Sequence, residues 1–290
     1  MRALAEFVMR GRAQAIGVAI AGIALPFFVW VSAAVIGLVT LRRSGQDALI
    51  VLGWSVLAAA AVMVWQGDPG PLSAMIGTAI AAWVLRWSRS WPFALVAAVL
   101  VGLASALILN VFGAEFVGEL VAALNEFLLR LRAQMPAEQA TLLGEMNAVQ
   151  VSGLLGLRSA CLMVIALLLA RWWQALLYNP GGFREEFHAV RLPVPVVFAL
   201  IGMGLLIAIV GSEYKVWAAL FALPFVVAGL ALIHGVVGIR RWGRGPLIAL
   251  YIAWIVVWEL VTAALLLLAV ADSWWNFRAR LRARAGNEKL

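Results

Sequence analysis

The sequence predicts an all-α fold, a polytopic transmembrane helical bundle, and three observations carry that prediction. Of 290 residues, 65% are hydrophobic and 12% charged, whereas soluble domains are roughly half apolar and a quarter charged. The mean hydropathy is +1.00. The apolar residues also fall in long runs, matching a hydrocarbon core of about 30 Å and roughly 20 helical residues per crossing. No water-facing surface can be assembled from this composition, so the lipid bilayer is the first partner the chain requires. One transmembrane domain over residues 1–290 is expected.

The runs define about eight hydrophobic segments. The first, 13–41, follows Arg2, Arg10 and Arg12 and is divided by Pro26. It is far longer than the apolar region of a secretory signal and other spans follow, so it is expected to stay in the membrane. The others cover 47–65, 71–86, 91–112, 151–177, 194–211, 216–239 and 246–271. Between the fourth and fifth lies 113–150, where Phe116, Val117, Leu120, Val121, Leu124, Phe127, Leu128 and Leu131 recur at steps of one, three and four. That is an amphipathic helix. With Pro136 and a second apolar stretch, Leu142, Leu143, Met146 and Val149, it predicts a helical hairpin lying on the membrane or capping a cavity.

Arginine sets the orientation, because cytoplasmic loops retain it. Arg42 with Arg43, Arg86 with Arg89, Arg171 with Arg184 and Arg191, and Arg240 with Arg241 and Arg244 can all be cytoplasmic at once. The GDPGP turn at 67–71, the 113–150 hairpin and the SEYK turn at 212–215 then face outward, and five glutamates against two arginines in 113–150 fit that side. Two ends conflict with the scheme. Arg2, Arg10 and Arg12 require 13–41 to enter and leave on one side around Pro26. The basic tail 273–290, with Arg278, Arg280, Arg282 and Arg284, would lie outside after a single crossing by 246–271. Residues 247–270 offer no Pro or Gly at which to turn back.

Ionisable groups inside apolar runs each cost about 2.5–3.5 kcal/mol at mid-membrane unless paired or hydrated. Glu259 lies about halfway along its run, with Trp254, Trp258 and Thr262 as helical neighbours. A proton acceptor, a ligand for a substrate amine and a partner for Arg158 are all open readings. His234, beside Gly235, is a third ligand or proton-coupling candidate, with a hydrogen bond to a neighbouring helix as the plainer alternative. The cytoplasmic interfacial loop 171–193 concentrates Trp172, Trp173, Tyr178, Asn179, Arg184, Glu186 and His188 around a Pro-Gly-Gly turn. Its rings are expected at head-group level. It either anchors the interface, grips an anionic ligand, docks a cytoplasmic partner, or couples motion between the two halves of the bundle. Ala15 and Ala19, beside Ala13, Gly17 and Ala21, form small-residue ladders that permit close helix approach, to another membrane protein or internally.

Other classes find no support. A net charge of +8 would suggest nucleic acid if the basic residues shared one exposed face, but they cluster at span ends. Cys161 is the only cysteine, and His188 and His234 are the only histidines. No metal or other cofactor is expected, nor any catalytic residue: an intramembrane enzyme would need Glu259, Arg158 and His234 to converge, and their spacing does not demand it.

The stretch WWQALLYNPGGFREEFHAVRL, with RALAEFVMRGR at the start and DSWWNFRARL near the end, resembles the YybS-like family of bacterial membrane proteins. By fold that family is grouped with the substrate-binding S components of energy-coupling-factor transporters. The resemblance implies a bacterial inner-membrane bundle that binds a small molecule near its outer face, and Ala15 with Ala19 match the AxxxA spacing by which S components dock a membrane subunit. Two functions are therefore expected in order: a small-molecule binding or transport subunit with a cavity under 113–150, and an assembly protein recruiting partners through 171–192.

Overall fold

The computed structural model describes residues 1–25, 27–141 and 143–287, with no side chain described for Ala137 or beyond residue 283. Pro26, Leu142 and the side chain of Arg284 therefore lie outside the described residues. The chain is an all-α polytopic membrane bundle with no strand among the described residues. Its helices are α1 (Arg2–Arg10), α2 (Arg12–Ala24), α3 (Val29–Arg42), α4 (Gly45–Gln66), α5 (Gly70–Ser88), α6 (Trp91–Phe112) and α7 (Ala114–Arg132). They continue as α8 (Ala137–Ala140), α9 (Ala148–Tyr178), α10 (Gly182–Ala189), α11 (Val194–Ala208), α12 (Lys215–Ala219) and α13 (Leu223–Arg240). The last three are α14 (Gly245–Val256), α15 (Trp258–Trp275) and α16 (Phe277–Asn287). Five helices are long and apolar enough to cross a membrane alone: α4, α6, α9, the continuous stretch Ser212–Arg240 and α15. A sixth crossing arises if α10 and α11, bent by 65°, count together.

The first apolar run is two short antiparallel helices. At 1.5 Å per residue, α2 and α3 each reach only about 20 Å, less than the hydrocarbon thickness. Ser32 donates to Ala19 O at 2.7 Å, joining their middles. Arg43 donates to Met9 O at 2.7 Å and Arg12 to Asp47 at 2.5 Å, so the run enters and leaves at one end of the bundle.

The last run also turns back, and here the expectation of a single crossing from 246 to 271 is corrected. The backbone breaks at Val257 (φ −128°, ψ 56°), and Trp254 donates its indole N–H to Thr262 at 2.9 Å. Residues eight apart on an unbroken helix are separated by about 12 Å. Direction is fixed by α13. Gly229 abuts Leu265, and Gly235 abuts Arg278, so α13 and α15 run parallel. His234, on the same helix, meets Tyr251 of α14. The chain leaves Arg240, climbs along α14, reverses at Val257 and returns. Arg278 donates to His188 O at 2.7 Å, and Arg191 to the carbonyls of Asp272 and Ser273 at 2.9 and 2.6 Å. The basic tail thus shares an end with the 171–192 loop.

All the arginine clusters gather at that end. Arg86 donates to Thr40 O and Arg43 O, and the Arg42 guanidinium lies 4.2 Å from the Tyr178 ring centre. The opposite end holds the 67–71 turn, α7 and the 212–215 turn: Phe116 lies against Gly67, and Trp217 donates to Val149 O at 2.7 Å.

The 113–150 segment keeps only one limb of its expected helical hairpin. In α7 the stripe Phe116, Val117, Leu120, Val121 and Leu124 packs on Val151 and Leu155. The second limb is the single turn α8 and a non-helical return strap. Asn125 exchanges two hydrogen bonds with the backbone of Met146, and Arg132 donates to Leu143 O, pinning that strap to α7. Asn147 then opens α9 with a reciprocal cap to Gln150, so the helix begins only at Ala148.

α9 is the mast, about 46 Å long by its rise per residue. It crosses α6 through small residues: a Cβ at Gly156 would stand 2.6 Å from Gly102 O and 2.7 Å from the Ala106 methyl. Backbones this close gain dispersion that hydrophobicity cannot supply in lipid. Ala15 and Ala19 serve the same purpose internally. Both are fully buried, so this AxxxA face is closed to an outside partner, while Ala13, Gly17 and Ala21 are exposed.

Two outcomes follow. Gly156→Ala is expected to cost about 1–3 kcal/mol by overpacking, read as a lower Tm in detergent, whereas Gly202→Ala, whose added Cβ meets nothing within 4 Å, should not lower it. Sidedness reporters fused at each terminus should agree with each other and disagree with one inserted after Gly67. Opposite readings at the two termini would refute the reversal at Val257.

Candidate functional site

The clearest site is a cavity of about 540 Å³ beneath α7, between α5, α6 and the outer part of α9. It is an open groove, with the exposed Ile76, Ile80, Leu100, Ile108 and Phe112 on its sides, Leu155 buried behind them and Phe116 from α7 as part of the roof. Polar groups collect at one corner, where Asp68, Ser73, Arg158 and Ser159 meet. An apolar cavity with a few convergent polar groups is the usual form of a small-molecule site.

The corner is built by the turn between α4 and α5. Gly67 ends α4 in the left-handed region (φ 73°), and its N–H bonds Met63 O at 2.8 Å. Asp68 Oδ1 accepts from Gly70 N at 2.8 Å and from Arg158 Nη2 at 3.3 Å. A Cβ at Gly70 would meet the Arg158 guanidinium and the Asp68 carboxylate, so a side chain there would push these two flexible groups out of their present arrangement. The hydroxyls of Ser73 and Ser159 stand 3.1 Å apart, and Ser73 also donates to Gly70 O at 3.0 Å.

Arg158 therefore pairs with Asp68, not with Glu259. Its side chain is 54% exposed and spends one of its five N–H donors on a single long contact. Such a group can receive an anionic or strongly accepting atom without being uncovered first.

The three ligand candidates do not converge. Glu259 is exposed in the first turn of α15, two residues after the break at Val257, with no ion pair or hydrogen bond among the described residues. The fold-back converts a mid-run position into a helix start, where a carboxylate offsets the unpaired N–H groups and their dipole. His234 sits near the arginine-rich end, half-buried, with Nδ1 2.9 Å from Leu230 O and Nε2 3.3 Å from the Tyr251 hydroxyl. Its ring packs edge-on to Phe187. That is the plainer reading, a polar contact between helices.

The interfacial loop is knit into the bundle. Arg171 holds Glu186 through two parallel N–H donors and reaches Gln174 at 2.5 Å. Trp172 and Tyr178 are partly exposed as expected, but Trp173 is fully buried in the core, a correction to its placement at head-group level. It occupies the α9 face that turns inward with Ala166 and Ala170. Asn179 ends α9, and Gly181 (φ 90°) makes the turn into α10. Arg184 and Glu185 are exposed. The His188 imidazole is pushed below its ordinary value near 6.5, first by burial and then by the positive charges of Arg184, His234, Arg278 and Arg282.

Sequence reasoning gave no role to Asp272, which is 2% exposed and bonds Arg278, 5% exposed, at 2.6 Å. Residues six apart point away from each other on a continuous helix. Asn276 in the left-handed region (φ 44°) ends α15 and swings Arg278 back. An Asn placed between an aromatic pair and an arginine run was the one available signal. Among the described residues no cluster of His, Cys, Asp or Glu could hold a metal ion. No protein-family model, curated protein or solved structure matches the chain.

His188 generates a pH prediction. Its folded value lies below the unfolded one, so on acidification the unfolded chain takes up the proton first and stability falls. The loss begins as pH drops through about 6.5 and ends below the folded value. His188→Asn should flatten the decline of Tm between about pH 7 and pH 5, and an unchanged slope would remove His188 from the account.

Proposed function

We propose that this chain is a non-catalytic binding or transport subunit of a bacterial inner membrane that takes up a small apolar molecule bearing one anionic or acceptor end. One observation carries the reading: the half-exposed Arg158, underused by Asp68, stands at the polar corner of an otherwise apolar cavity. The apolar body of the ligand lies between α5 and α6 beneath Phe116, and its head meets Arg158 with the Ser73 and Ser159 hydroxyls. The cavity's place at the end opposite the arginine clusters supports entry from the outer side, as the likeness to S components implies. Docking through Ala15 and Ala19 is no part of this reading, because both are buried. Recruitment through 171–192 is the weaker alternative, since Arg171, Glu186 and Arg191 are spent inside the molecule.

The test is mass spectrometry of small molecules retained by gently purified protein. Arg158→Gln is expected to reduce retention about tenfold, the worth of one charge-assisted hydrogen bond, with Tm nearly unchanged because the exposed pair with Asp68 contributes little. Glu259→Gln should retain as wild type does. An identical set of molecules on wild type and Arg158→Gln, or loss with Glu259→Gln alone, would sink the reading.

A further inference from the structure

The arginine-rich end contains a second recess, of about 640 Å³, at the opposite end from the cavity under α7 and independent of the function proposed for it. Arg86, Arg89, Arg171 and Arg191 line it, and Glu186 is its one carboxylate. Four guanidinium groups against one carboxylate leave three positive charges in excess.

The charges are not equally spent. Arg171 is held by Glu186, Arg191 by two backbone carbonyls and Arg86 by two more. Arg89 has no ion pair or hydrogen-bonding side-chain partner among the described residues. It ends α5 in the left-handed region (φ 53°), a conformation arginine adopts at a cost.

The wall supplies more donors. Ser90, Trp91 and Pro92 form the start of α6; the Ser90 N–H is taken by Ser88 Oγ at 3.2 Å and Pro92 has none, so the Trp91 N–H and the positive dipole end of the helix border the recess. Trp91 is 6% exposed, and its indole N–H has no acceptor among the described residues.

We propose that this recess binds a phosphate group, presented by the headgroup of an acidic phospholipid or by a soluble phosphate. Guanidinium forks match phosphate oxygens two at a time, and basic pockets between helices at the cytoplasmic surface suit anionic headgroups. Arg89 and the α6 N-terminus meet the phosphate, while Leu41, Leu85 and Pro193 offer an apolar side to whatever chain it carries.

The experiment measures Tm of the full chain in detergent during titration with phosphatidylglycerol, phosphatidylcholine or inorganic phosphate at matched ionic strength. Wild type should be stabilised by phosphatidylglycerol and not by phosphatidylcholine. Stabilisation by inorganic phosphate as well would assign a soluble phosphate as an occupant, and its absence would assign the headgroup. Arg89→Asn keeps a residue that tolerates the left-handed backbone, and should weaken the stabilising ligand about tenfold. Arg244→Asn removes an exposed charge outside the recess and should bind as wild type does. The proposal fails if neither phosphate probe shifts wild-type Tm, or if the two variants weaken binding equally, which would mean diffuse attraction. Should Arg89→Asn prove unstable without ligand, Arg89→Lys must keep stability and part of the affinity; full wild-type affinity in Arg89→Lys also overturns the assignment of a guanidinium fork.

Discussion

A guanidinium group cannot be left in hydrocarbon, and this single constraint explains the path of the chain. Each exposed arginine at the bilayer centre would cost several kcal/mol, so six separate clusters must reach one end of the bundle. A chain that simply crossed back and forth could not bring them all there. Both terminal apolar runs therefore reverse, one between α2 and α3 and the other at Val257. Of their helices, α2, α3 and α14 are shorter than a crossing while α15 is long enough for one, and each reversal leaves backbone groups that must find partners. At the C-terminal one, the Val257 N–H bonds Ala253 O at 2.8 Å while Val257 O accepts from Val261 N at 3.1 Å, so one residue serves as the end of one helix and the start of the next.

The reversals stand because they are tied to a long straight helix and to each other. α3 and α6 both pack along α9, the former where Gly37 meets Ala170 and the latter where Gly102 meets Gly156. Water cannot drive such contacts inside lipid, so they depend on close approach, and glycine and alanine provide it. At the cytoplasm-like end the fastening is polar instead. The buried Asp272–Arg278 pair would be costly alone, but Phe277 N–H donates to Asp272 and Arg278 donates to His188 O. The desolvated charges thus have partners on both sides, and the tail is locked over the loop.

The bundle, the arginine end and the return of the first apolar run to its own side were legible in the sequence, because each rests on composition or charge position, which survive without knowledge of contacts. The reversal at Val257 was hidden. No Pro or Gly marks it, and the Trp254–Thr262 hydrogen bond that spans it exists only after the chain has turned. The same reason explains Glu259, whose meaning changed from a mid-span charge to a helix-start carboxylate once the run was broken. Arg158 was recognisable as unusual, but its partner Asp68 is ninety residues away, and no spacing in the sequence joins them. Trp173 was misplaced because tryptophan suits an interface as readily as a core, and only the face of α9 decides between them.

Arg158 and Arg171 show how one helix can carry two different kinds of positive charge. They are thirteen residues apart on α9, about 20 Å along the axis, near opposite ends of the span. Arg171 is matched by a bidentate carboxylate and an amide, so its charge is consumed in holding α10 against the mast. Arg158 meets one oxygen of Asp68 at 3.3 Å, which orients the guanidinium without satisfying it. Both partners are substantially exposed, so the pair contributes little to stability and nothing requires it to close more tightly. The two arginines thus differ in how far their charge is satisfied: Arg171 is held by a carboxylate and an amide, whereas Arg158 keeps one long contact at the edge of the apolar groove.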